Sequence, residues 1–86
     1  MPYINQRQRE VMAAGAKPSS AGELNYFITK AILAYLERQE MRGWKGYGAY
    51  NEVLGVLEAV KLELYRRLVS AYEDMKIHEN GDVYHD

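Results

Sequence analysis

Cysteine is absent from the chain, which excludes a disulfide framework and any Cys-based zinc site. A reducing, intracellular setting fits that absence. No apolar run approaches the ~20 residues of a membrane span, and the N-terminus lacks a charged-then-apolar leader. A soluble, cytoplasmic protein without a membrane role is therefore expected. Charge of one sign is also missing: eleven basic and twelve acidic side chains leave a net −1. A nucleic-acid binder usually carries a clear basic excess, because phosphate neutralisation supplies much of its affinity. No Ser/His/Asp or Cys/His set and no phosphate loop can be named, so neither an enzyme nor a cofactor is expected. Phenylalanine occurs once against eight tyrosines. Tyrosine brings apolar area and a hydroxyl that wants a partner, which suits interfaces and ligand sites better than a dry core.

Eighty-six residues make a single small domain, 1–86, which buries only about two-thirds of its unfolded surface. Residues 1–18 read as an N-terminal arm with one short helix from Gln6 to Ala14, ended by Gly15 and Pro18. Ser20-Ala21-Gly22-Glu23 has the pattern of a capping box. The helix it opens is predicted over about 20–39, with an apolar face of Leu24, Phe27, Ile28, Ala31, Ile32 and Tyr35. Residues 40–48 read as a loop, with three glycines and the only tryptophan, Trp44. A second, long helix is predicted over about 50–77, with its core face at Tyr50, Val53, Leu57, Val60, Leu64, Leu68, Ala71 and Met75. Asn80-Gly81 stops it, and 80–86 is a tail. The fold class is all-α: an arm and an antiparallel pair of helices.

The second helix is ~42 Å long at 1.5 Å per residue, whereas a compact chain of this length is roughly 30 Å across. The first carries Tyr26 and Leu33 opposite its main face. Gly55 sits inside the long helix, where it costs about 1 kcal/mol relative to Ala unless close packing offsets it. These exposed seams, with Tyr26, Leu33 and Gly55, predict a homo-oligomer; Trp44 is a further candidate protein-interface residue.

The chemistry-bearing groups concentrate on the long helix. Projection at 100° per residue sets Lys61, Tyr65, Tyr72 and Lys76 on one shoulder, able to stack a ring and pair with phosphate. The alternative is that the tyrosines pack on the first helix and the lysine stems lie alongside. Arg67 falls over Glu63 and looks toward Asp74, as a surface ion pair would. Arg66 lies near Ser70 and Glu73 and reads either as a cross-subunit clamp or as an anion hook. With Tyr84 added, Lys61, Tyr65, Arg66, Arg67, Tyr72, Lys76 and Tyr84 form a candidate site for a small anionic, nucleotide-like ligand at a subunit interface. The competing reading is a protein-interaction adaptor or inhibitor that docks a host or virion protein through Trp44, Tyr47 and the glycine loop, against the alternative that Trp44 folds back to cap the two-helix core. His78 and His85 lack the spacing of paired helical metal ligands, so no metal site is expected. Asp82 is placed to bond its local backbone after the Asn-Gly turn.

Glu-Asn-Gly-Asp-Val at 79–83 shares an acid-Gly-Asp-Val segment with all-α nucleotide pyrophosphohydrolases of the MazG type. The paired helix acids of that family are missing: Glu58 and Glu63 stand five apart, on different sides. Pro2-Tyr3-Ile4, Gly22-Glu23-Leu24-Asn25-Tyr26, Glu63-Leu64-Tyr65-Arg66-Arg67, Tyr72-Glu73-Asp74 and Glu79-Asn80-Gly81-Asp82-Val83-Tyr84 together resemble a family of small phage and prophage proteins of uncharacterised function. That resemblance implies a viral accessory protein made in the bacterial cytoplasm, and brings no site residues with it. Such accessory proteins often act by binding, and some oligomeric ones trap nucleotide signals of host defence between subunits.

Overall fold

The computed structural model describes residues 4–44 and 46–85. Pro2 and Tyr3 of the N-terminal motif, Lys45 of the glycine loop, the side chain of His85, and Asp86 lie outside the described residues. Every regular element among the described residues is helical. The chain divides into two units, Met1–Tyr50 and Asn51–Asp86.

The first unit opens with α1 (Gln6–Ala13). The side chain of Asn5 accepts a 2.8 Å hydrogen bond from the Gln8 amide, and the Gln8 side chain accepts a 3.0 Å bond from the Asn5 amide. Two of the amide donors that every helix start leaves open are thereby satisfied. Ile4 and Met12 are buried, and Arg9 Nη1 donates to the Ile4 carbonyl at 2.9 Å. Gly15, at φ 105°, follows the helix end, as expected of a residue free to adopt positive φ.

α2 (Ala21–Met41) begins after Ser20, whose Oγ accepts from the Glu23 amide at 3.1 Å. The reciprocal half of the predicted box is shifted by one residue. The Glu23 carboxylate accepts from the Ser19 amide at 2.9 Å and the Ser19 hydroxyl at 2.8 Å, rather than from Ser20. Those bonds favour the ionised acid and hold Glu23 below the usual glutamate range. Gln8 Nε2 reaches the same carboxylate at 3.4 Å, tying the cap of α2 to α1, which packs against it. The predicted apolar face of α2 lies largely open: Leu24, Phe27, Ile28, Ala31 and Tyr35 are exposed and only Ile32 is half-buried.

α3 (Tyr47–Leu64) starts three residues earlier than predicted, directly after Gly46 at φ 96°. It runs into a π-helical turn over Tyr65–Val69, in which the Ser70 amide bonds the carbonyl of Tyr65 five residues back. α4 (Ser70–Asn80) continues from there and stops at Gly81, φ 89°, as Asn80-Gly81 foretold. A single 3₁₀ turn, Val83–His85, closes the chain. The π-turn corrects the expectation of one regular helix. Its wider turn inserts one residue into the helical count, and everything C-terminal to it is rotated by about 100° from a straight projection.

Candidate interaction surface

Within Asn51–Asp86 no described residue is buried. Val56, Val60, Leu64 and Leu68 form one continuous row at four-residue spacing and are 57, 60, 53 and 64% exposed. Beside them runs a second row of Ala59, Glu63 and Arg67, and a groove of about 700 Å³ lies between the two rows. Full burial of a Val or Leu side chain stabilises by roughly 1.5–3 kcal/mol, so this row leaves on the order of 5 kcal/mol unrealised. Leu54 and Leu62 are exposed elsewhere on the same helix, which makes α3 apolar around most of its circumference. Helices with that pattern are generally found with their apolar surface covered. The predicted core residues Tyr50, Val60, Leu64, Leu68, Ala71 and Met75 are exposed, with Val53 and Leu57 half-buried.

The charged residues of this rod largely satisfy one another. Arg67 Nε donates to the Glu63 carboxylate, as the i, i+4 spacing predicted. Lys61 Nζ lies 3.5 Å from Glu58, and Lys76 Nζ lies 3.3 Å from Glu79 and 5.5 Å above the Tyr72 ring. The predicted shoulder of Lys61, Tyr65, Tyr72 and Lys76 is broken. The extra residue of the π-turn moves Tyr65 out of line with Tyr72 and into line with Glu73, whose carboxylate accepts from the Tyr65 hydroxyl. In a regular helix residues eight apart point about 80° away from one another; one inserted residue restores the near-alignment of an i, i+7 pair. The hydrogen bond to Glu73, and next its negative charge, push the Tyr65 phenol above its usual range. Arg66, expected near Glu73, makes no ion pair among the described residues. The candidate ligand residues therefore separate only in part: Lys61, Arg66 and Arg67 stay at and above the turn, whereas Tyr65 reaches down to Glu73 and feels the charge of Tyr84, beside Tyr72 and Lys76.

The lower three do meet. Tyr72, Lys76 and Tyr84 line a concavity of about 340 Å³ with Glu73, Ile77 and the segment Asn80–Val83. Asp82 Oδ1 accepts from the Tyr84 amide at 2.9 Å, the local backbone bond expected of it. Among the described residues no group of three or more His, Asp or Glu could hold a metal ion.

In the first unit the signals lie around the glycine loop. The Trp44 indole rests against the start of α3: a Cβ placed on Gly48 would come within 3.1 Å of Trp44 Nε1. Met41 and Tyr47 are each 81% exposed, and Trp44 and Tyr50 are exposed beside them in the sequence. Tyr26 lies half-buried in a depression of about 320 Å³ with Met12, Ala13, Phe27, Lys30 and Ala31, while Leu33 is exposed. Gly55 has nothing within 4 Å of where a Cβ would stand, so no close packing among the described residues explains it. One feature escaped the sequence reading, the Asn5–Gln8 cap, whose three-residue spacing was there to be seen; for Trp44, the fold-back alternative names a two-helix core and not Gly48 as the surface it meets.

A family model described as a domain of unknown function (DUF6899) matches residues 1–83. The chain belongs to that family. No curated protein matches it, and no solved structure does. The DUF6899 match takes in the first unit, the second as far as Val83, and all of α1 to α4. No helix among the described residues is long and apolar enough to cross a membrane.

Proposed function

We propose that the chain is a non-enzymatic binding protein that docks another protein through the aromatic surface around its glycine loop. The observation that carries this reading is the exposure of Met41, Trp44, Tyr47 and Tyr50 in one ten-residue stretch. Aromatic residues and methionine are the types enriched where proteins meet. Trp44 is already held against Gly48, so less side-chain freedom is lost on docking than from a free indole. The resemblance to small phage and prophage proteins supplies a setting, an accessory adaptor or inhibitor acting on a host or virion protein in the bacterial cytoplasm. In cells that make the protein, one partner should co-purify at fixed stoichiometry and be lost on Tyr47→Ala with the melting temperature unchanged. A partner retained by Tyr47→Ala and Trp44→Ala alike would refute the assignment of this surface.

The second reading, capture of a small anionic nucleotide-like ligand in a counter-defence role, is favoured by one observation: Tyr72, Lys76 and Tyr84 share a concavity. Electrostatics weigh against it. Glu73 and Asp82 line the same concavity, and Lys76 is engaged by Glu79. The concavity also sits at the C-terminal end of α4, the negative end of the helix dipole, where anions are disfavoured. Titration calorimetry with a nucleotide panel decides: no heat is expected, and binding abolished by Lys76→Ala would establish the ligand reading instead.

A further inference from the structure

We propose that the row Val56, Val60, Leu64 and Leu68 is a self-pairing surface, covered in solution by the same row of a second copy of the chain. This deepens the binding reading above, resting on it only in that the chain works by association. Three observations converge. First, a unit in which no described residue is buried lays none of them over this row, and a lone helix of this kind is marginal in water. Second, the face is self-complementary. Helices pack by setting the side-chain ridge of one into the groove of the other, most often using the four-residue rows of both at about −50°. Here the ridge and a groove of about 700 Å³ lie on one face, so each copy can fill the other's groove, as a two-fold interface requires. Ala59 forms the low wall of that groove. Third, the charges in the groove suit an identical partner. Glu63 and Arg67 pair within the chain, leaving the face without net charge, so two copies meet no repulsion and no oppositely charged protein is selected. The apolar gain is made on both copies at once.

The test is the mass of the full chain in solution, by native mass spectrometry and sedimentation, for three versions. Wild type is expected to be an even oligomer at micromolar concentration. Val60→Glu should be monomeric. Ala59→Leu raises the groove wall with a good helix former at an exposed position, so folding is kept, and it should weaken association about tenfold or more. Circular dichroism separates lost pairing from lost folding: Val60→Glu should show the same helix content as wild type diluted until it is unpaired. A monomeric wild type overturns the proposal, as does an oligomer that both substitutions leave intact. The outcomes also separate it from the docking reading. An oligomer that binds no protein partner refutes docking and leaves self-pairing standing; a monomer that binds one does the reverse.

Discussion

Both units are helical, but different interactions hold them. In Met1–Tyr50 the helix starts are fastened by side-chain caps: Asn5 with Gln8, Ser20 with Glu23, and Glu23 with Ser19. The buried hydrophobic residues among those described, Ile4, Met12 and Ala49, lie there. In Asn51–Asp86 no described residue is buried and α4 starts without a side-chain cap. It is a rod with a π-turn at its middle, its charges paired along its own surface and its aliphatic side chains open. Intrahelical ion pairs contribute only a few tenths of a kcal/mol each, and most helix stability in proteins comes from packing of an apolar face. The first unit has begun that packing internally. The second has prepared the face and left it uncovered.

The contrast can be broken most sharply by deleting matched apolar side chains. Met12→Ala removes a buried group and should cost about 2–3 kcal/mol in thermal unfolding, toward the lower end of core truncations because a short helix can settle into the space. Leu68→Ala, measured on monomeric protein, should cost less than about 1 kcal/mol, since most of that side chain is already in water. Equal losses would mean that the rod has a core of its own. Next in size is the cap: Ser20→Ala should cost about 1 kcal/mol and lower the melting temperature by about 4–8 °C.

Acid sharpens the comparison further. The carboxyl of Glu23 titrates below its ordinary range in the folded unit, so the unfolded chain holds that proton more tightly. Its contribution is present above the unfolded-state pKa and is lost as pH falls through the folded-state value. Melting curves should show an acid-side loss that Glu23→Gln diminishes. In the second unit the sign is opposite. The Tyr65 phenol is raised by its bond to Glu73, so that contribution holds below the ordinary tyrosine pKa and disappears as pH climbs through the raised value. Melting curves of Tyr65→Phe should show a smaller alkaline-side loss than wild type.

How much of this was legible in the sequence follows from how local each cause is. Helix ends were readable because Ser20, Gly15 and Asn80-Gly81 act on their immediate neighbours. The Arg67–Glu63 pair was readable from a four-residue spacing. The π-turn was not, because Tyr65-Arg66-Arg67-Leu68-Val69 is an ordinary helical stretch, and its extra residue undid the projected shoulder of Lys61, Tyr65, Tyr72 and Lys76. Burial was not readable either. Periodicity says which face of a helix is apolar and is silent on whether anything covers it, so Leu24, Phe27, Val60 and Leu64 were assigned to a core and stand exposed.

The smallest expected effects probe single glycines. Gly55→Ala should stabilise the monomeric rod by about 1 kcal/mol through helix propensity alone, because a Cβ there meets nothing. Gly48→Ala should shift the emission of the only tryptophan as the new methyl group pushes the indole off the start of α3.

The most direct test of the central contrast is amide hydrogen exchange followed as a function of protein concentration. Protection across residues 51–80 should rise with concentration as copies pair, while protection across α1 and the first turns of α2 stays constant. Protection of 51–80 that is high and independent of concentration would contradict the account, because the rod would then be held by its own chain.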